Sequence, residues 1–366
     1  MGTEGVANGR VIAGRYRLEA LLGRGGMGVV WQATDQLLRR RVAVKEIAQD
    51  TSLSPEEARR QCDRILREAR AVARLNHPHV IVVHDVVVHE DRPYIVMEWI
   101  DGGSLAERIA AHGPVDAYEA ARIGVGLLGA LRTAHAAGVL HRDLKPANVL
   151  IEAGTGRVVL TDFGVAQVPG STTLTESGSF VGSPEYTAPE RMSGAGTGPA
   201  SDLWSLGVLL CTALTGRSPF HRDTLGGVLH AVVSGEIRPP ERAGPLLPVV
   251  AGLLEREPER RLDAAQAEWM LRAFRETGRM PAPPVPAPLS LVRRSGRTPR
   301  DKLVTALLVA AMAAAGVSAA ALLMTGGGEG GGGVPTTTQT TTPAPSVTVT
   351  ATVTSSVSPD TRTNGR

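Results

Sequence analysis

Apolar positions in the first 275 residues recur with two different periods. In "RRVAVKEIA" the period is two, which sets Ala43, Lys45 and Ile47 on one face of a strand. The runs on either side of "GRGGMG" suit the two strands of a hairpin, with "VVWQATD" as the second. In "SPEEARRQCDRILREARAVA" the period becomes helical: Ser54 caps, Pro55 fits the first helical position and Glu57 completes a capping box. Ala58, Cys62, Ile65, Ala69, Val72 and Ala73 then form an inner stripe, and Glu68 falls on or beside it instead of on the water face. Mixed patterns of this kind, joined by short turns, continue to about residue 275, so residues 14–275 read as one folded unit of two lobes, preceded by a short segment 1–13.

A third pattern lies near the C-terminus. Residues 303–324, "LVTALLVAAMAAAGVSAAALLM", carry no charge. At helical rise this length reaches about 33 Å, enough to cross a hydrocarbon core of about 30 Å. The segment before it, 276–302, begins proline-rich and ends in a basic collar of Arg293, Arg294, Arg297, Arg300 and Lys302. A collar on that side only orients the span with the folded unit in the cytosol and residues 325–366 outside. That tail is glycine-, threonine- and proline-rich and has no aromatic residue with which to build a core. The competing reading is an alanine-rich helix packed in a soluble assembly.

Composition narrows the function classes. A formal net charge of +3 over 366 residues gives no basic footprint for nucleic acid. Cys62 and Cys211 stand far apart in helical, apolar surroundings, which suits small buried hydrophobes in a reducing compartment. The nine histidines lack the spacing of a ligand cluster. Of the 39 basic residues only Lys45, Lys145 and Lys302 are lysine. A chain that writes its positive charge as arginine keeps lysine where a compact point charge serves and a wide planar fork does not.

The candidate chemistry accumulates around those lysines. Gly23, Gly25 and Gly28 would let backbone amides approach an anion, a weak signal alone because a dinucleotide site uses the same letters. A dinucleotide fold, however, wants a helix directly after the glycines, and a strand follows here. Lys45 faces inward and needs a carboxylate, for which Glu68 is the candidate. "LHRDLKPANVL" then offers Asp143, Lys145 and Asn148, and "TDFGVA" adds Asp162. Phosphate-cradling glycines, two oxygen ligands for a hard cation, a further carboxylate and two lysines are the parts needed to move a phosphoryl group.

In this order the motifs, from the glycine loop through "VAVK", the helix glutamate, "HRDLKPAN" and "DFG" to "APE", resemble those of eukaryotic-type serine/threonine protein kinases over residues 14–275, and in particular actinobacterial single-pass receptor-type kinases. The resemblance implies an α+β, two-lobed protein kinase fold: a small, mainly β N-lobe with one helix and a larger, mainly helical C-lobe, followed by the transmembrane helix. It implies that Gly23, Arg24, Gly25, Gly26, Met27 and Gly28 cover the phosphates of ATP. Lys45 would contact them and pair with Glu68, Asp143 would take or orient the substrate hydroxyl proton, and Lys145 would hold the transferring group. Asn148 and Asp162 would bind Mg²⁺ or Mn²⁺. Met97 would be the gatekeeper, the backbone of Glu98 and Ile100 would bond adenine, and Val30, Ala43 and Leu150 would sandwich the base. Glu190 would pair with Arg261, and Asp202 would anchor the catalytic loop. Arg142 resembles the arginine of kinases switched on by phosphorylation, for which Thr175 and Ser177 are the favoured acceptors. Ser183 stands where many members carry threonine, with the hydroxyl kept. The implied partners are proteins with serine or threonine acceptors, membrane lipid through the single span, and a second copy for trans-autophosphorylation. The alternative function is a pseudokinase acting as a membrane-tethered scaffold.

Overall fold

The computed structural model describes residues 9–25, 28–49, 53–164, 183–237 and 241–282. The chain begins with strands β1 (Val11–Ile12), β2 (Tyr16–Gly25), β3 (Gly28–Asp35) and β4 (Arg40–Ile47), then helix α1 (Pro55–Val72) and strands β5 (Val83–His89) and β6 (Arg92–Glu98). The strands form one antiparallel sheet in the order β1-β2-β3-β4-β6-β5. Alternation along β4 divides the side chains as its sequence period requires. Val42 and Val44 join Tyr16, Ala33, Tyr94 and Val96 on one face, while Ala43 and Ile47 pack on the other with Ile65, Ala69, Ile95 and Met97.

The cap of α1 is reciprocal: the Glu57 amide donates to Ser54 Oγ at 3.3 Å, and the Ser54 amide donates to Glu57 Oε2 at 2.9 Å. Ile65, Ala69 and Val72 are its buried residues, whereas Ala73, expected in the stripe, is the exposed C-cap.

The second lobe contains β7 (Gly102–Ser104), α2 (Leu105–His112), α3 (Ala117–Ala136), β8 (Val149–Glu152), β9 (Val158–Leu160), α4 (Pro189–Met192), α5 (Pro199–Thr215), α6 (Leu225–Val233), α7 (Leu247–Leu253) and α8 (Ala264–Thr277). β7, β8 and β9 make a small antiparallel sheet. α5 is apolar around most of its circumference and buries every residue from Ser201 to Leu214, as a helix at the centre of a lobe must. α3 and α7 pack on it, and α8 packs on α3. Gly124 permits that last approach, since a Cβ there would lie 2.6 Å from Leu271. Cys211 is buried in α5 and its thiol is pushed up to about 12 by that burial.

α8 runs past the expected boundary at residue 275 to Thr277, where Gly278 ends it in the left-handed conformation at φ 70°. β1 likewise precedes the expected start at residue 14. Among the described residues no helix is long and apolar enough to cross a membrane. The expected span 303–324 and the tail 325–366 lie outside the described residues, as do Gly26, Met27, Thr175 and Ser177.

Candidate active site

The loop between α3 and β8 is built on two buried polar residues. Asp202, from α5, accepts from the amides of His141 at 2.9 Å and Arg142 at 2.8 Å, and from His135 Nε2 at 2.8 Å. Burial alone would push the Asp202 carboxyl up, but these donors and the neighbouring imidazoles outweigh it and hold the group below its ordinary value. His141 is fully buried, and that burial pushes its imidazole down. A neutral ring fits its bonds: Nε2 donates to the Thr161 carbonyl at 2.8 Å, and Nδ1 accepts from the Asp143 amide at 3.3 Å. The His141 carbonyl also accepts from the Gly164 amide at 3.0 Å, so one residue ties together the loops carrying Asp143 and Asp162. Arg142 and Asp162 both have positive φ, 67° and 59°, an uncommon state for residues with a side chain that these bonds sustain.

Asp143, Lys145 and Asn148 converge. Lys145 Nζ lies 2.8 Å from Asp143 Oδ2 and donates to Ser183 Oγ at 3.1 Å. Asn148 Nδ2 donates to the Asp143 carbonyl at 2.7 Å and to its carboxylate at 3.1 Å. With its nitrogen committed, Asn148 keeps its side-chain oxygen for another partner. That oxygen and the Asp162 carboxylate are hard donors of the kind a magnesium or manganese ion takes, so the residues fit such an ion.

Lys45 does not pair with Glu68. Its ammonium donates to Asp162 Oδ1 at 2.7 Å. Glu68 instead faces Arg142, with Oε1 3.9 Å from a guanidinium nitrogen and Oε2 buried without a hydrogen bond. Burial raises the Glu68 carboxyl above its ordinary value against the pull of Arg142, Arg64 and Arg67. Glu68 lies at the edge of the buried stripe Ile65, Ala69 and Val72, about 40° from Val72, and its carboxylate is turned toward Arg142. A cleft of about 110 Å³ opens there, lined by Glu68, Val72, Leu140, Arg142, Phe163 and Gly164.

The remaining expected residues line the sheet side. Gly23, Arg24 and Gly25 on β2 pair with Val30, Val29 and Gly28 on β3. A Cβ on Gly28, at φ 135°, would lie 2.0 Å from the Glu46 carbonyl oxygen, so only glycine fits. Val30 lies opposite Lys45, and Ala43 opposite Met97. Ala43, Met97, Ile100 and Leu150 belong to one apolar cluster. Glu98 ends β6, its amide donating to the Val82 carbonyl at 2.9 Å.

Farther out, Arg261 holds Glu190 through two bonds of 2.9 and 3.1 Å. Sequence reasoning missed the supports His135 and His141, although His141 stands inside the "LHRDLKPANVL" stretch. It also missed Arg191, which donates to the Arg142 carbonyl, and Arg157, which donates to Glu98. Neither arginine carries a sequence signal, since each depends on a contact between distant segments.

Residues 16–269 match the protein kinase domain family. The chain belongs to the protein kinase family. This protein kinase is 40% identical over 245 residues to the serine/threonine-protein kinase PknA of Mycobacterium tuberculosis, a match covering 66% of this chain and 55% of that one. It is 36% identical over 240 residues to the serine/threonine-protein kinase PrkC of Bacillus subtilis, covering 66% of this chain and 36% of that protein. The chain thus spans about half the length, or less, of these curated relatives. Its fold matches the crystal structure of Rad53 1-466 in complex with AMP-PNP with a TM-score of 0.58 and 28% identity, covering 69% of this chain and 64% of that one. A small β lobe over a large helical lobe is therefore the kinase fold in this chain as well.

Proposed function

We propose that this protein kinase transfers the γ-phosphoryl group of ATP to serine and threonine hydroxyls of proteins, its own activation segment included. One observation carries the reading: Asp143, Lys145, Asn148 and Ser183 are joined by bonds of 3.1 Å or less, beside a loop that brings Asp162 to Lys45. That grouping suits transfer by positioning and charge neutralisation. Asp143 accepts the proton of the acceptor hydroxyl, and Lys145 beside it holds negative charge on the transferring group. Lys45 steadies the nucleotide phosphates under Gly23, Arg24, Gly25 and Gly28. Asn148 and Asp162 would hold the divalent ion, which when bound screens the phosphate charge. Ala43, Leu150 and Val30 provide apolar walls for the base, with Met97 behind it and the backbone of Glu98 and Ile100 at its edge.

The pairing found here suits a resting arrangement. While Lys45 occupies Asp162, one carboxylate oxygen is withheld from a cation, and Glu68 is engaged by Arg142. A phosphate on Thr175 or Ser177 would carry nearly two negative charges and three acceptor oxygens, and so would compete with Glu68 for Arg142. Freed, Glu68 can take Lys45 and release Asp162. The uncharged segment 303–324 and its one-sided basic collar support a single membrane span, with the kinase domain 14–275 on the cytosolic side, 276–302 as a juxtamembrane linker that brings Lys302 to the headgroups, and tail 325–366 outside. A scaffold without transfer would not need Asp143, Lys145, Asn148 and Asp162 together.

The test uses the full chain, radiolabelled ATP and a generic basic protein. Wild type is expected to label itself and the acceptor. Asp143→Asn is expected to lose labelling while still binding nucleotide. Full labelling by that variant removes the assigned role, and recovery of the chain in the soluble fraction of lysed cells removes the membrane span.

A further inference from the structure

The two sides of the expected adenine slot belong to different lobes, and one side chain links them. Glu98, at the hinge end of β6, has both carboxylate oxygens engaged: Oε1 accepts from the Val82 amide at 2.9 Å, and Oε2 from Arg157 Nη2 at 2.8 Å. Arg157 lies in the turn between β8 and β9 of the large lobe. Its guanidinium also reaches Glu152 Oε2 and Oε1, both at 3.3 Å, and the Pro78 carbonyl at 3.3 Å. Its own backbone is fixed as well, because its amide donates to Thr155 Oγ1 at 3.0 Å and its carbonyl accepts from the Glu152 amide at 2.9 Å. Glu152 stands two residues from Leu150 on the same short strand, so the arginine that grips the hinge is seated on the strand that carries the slot's floor.

We infer that Arg157 is a positioning residue for nucleotide, holding the Glu98 backbone at a fixed spacing from Leu150. The pair is partly shielded, with side-chain exposures of 27% for Arg157 and 17% for Glu98, so solvent does not fully screen it. A planar fork suits the task because it meets the carboxylates of Glu98 and Glu152 and a carbonyl at once, where an ammonium would hold fewer of them in place. Loss of the fork lets the hinge edge move relative to the floor. The cost falls on adenine binding and not on the chemistry at Asp143, which lies on a separately anchored loop.

This inference rests on the kinase reading. The experiment measures KM for ATP, kcat and inhibition by adenosine in wild type, Arg157→Ala and Arg157→Lys, with the Tm of each. Arg157→Ala is expected to raise KM for ATP about fivefold and to weaken adenosine inhibition by the same factor, with kcat within about twofold of wild type. Arg157→Lys is expected to fall between the two. An unchanged KM for ATP in a folded variant overturns the inference, whatever happens to Tm, and so does a loss confined to kcat. If Arg157→Ala does not fold, Arg157→Lys carries the same comparison. An inactive wild type that binds no nucleotide would instead overturn the kinase reading.

Discussion

Lys45 Nζ and Asp162 Oδ1 are 2.7 Å apart although 117 positions separate them in the chain. The carboxylate expected beside that lysine, Glu68, is turned to Arg142 instead. Lys45 can take only one of the two carboxylates closely, and its choice decides whether Asp162 is free for other partners. Exchange between pairings would couple the position of α1 to the nucleotide site.

Lysine at position 45 is expected to be irreplaceable by arginine. Lys45→Arg keeps the charge but substitutes a broad fork for a point donor in a site only 8% exposed. Phosphoryl transfer is expected to fall about a hundredfold, with Tm little changed. Undiminished turnover would show that the shape of the cation does not matter there.

Glu68→Gln separates stability from activity. Burial holds the Glu68 carboxyl above its ordinary value, so the folded chain keeps a proton there that the unfolded chain gives up at the same pH. This group therefore favours folding less as pH rises through that interval, and its ionised form is a liability near neutrality. The amide removes the liability, and Tm at pH 8 should hold or rise. Phosphoryl transfer should fall, because an amide cannot pair with Lys45 as a carboxylate does. A clear drop in Tm would show instead that attraction to Arg142 outweighs the burial of the Glu68 charge.

Acid should loosen the catalytic loop through His141. Its folded value lies below the ordinary 6.5, so the unfolded chain takes up a proton that the folded ring refuses. The resulting stability is complete above the ordinary 6.5 and is lost progressively as pH falls below it toward the lower folded value. Asp202, held low, contributes in a lower window near the ordinary 3.8. Thermal melts across this range should show the decline, and His141→Asn, though less stable throughout, should show a flatter one. Parallel slopes in the two proteins would assign the acid sensitivity elsewhere.

Arg261→Ala should destabilise the large lobe. The Arg261 side chain is fully buried, and it neutralises Glu190 while donating to the Ala200 and Glu255 carbonyls. Removing one partner of such a pair costs about 3 kcal/mol, because Glu190, only 12% exposed, is left with Ser201 alone as a side-chain donor. Urea unfolding measures this, and a loss near zero would mean that water replaces the guanidinium.

Local pattern made much of this molecule readable. The alternation in "RRVAVKEIA" put Lys45 on the inner face of β4, and Ser54 with Glu57 marked where α1 begins, because both depend on neighbours a few residues away. The motif spacings likewise named Asp143, Lys145, Asn148 and Asp162. What the linear chain could not decide was which charges meet. Lys45 meets Asp162 while Glu68 faces Arg142, although the sequence placed Glu68 on the inner edge of α1. The roles of His141, Arg157 and Arg191 arise only when segments tens of residues apart are brought together. Periodicity is a property of the backbone and can be read along it; an ion pair is a distance in space, fixed by the packing of every element between its partners.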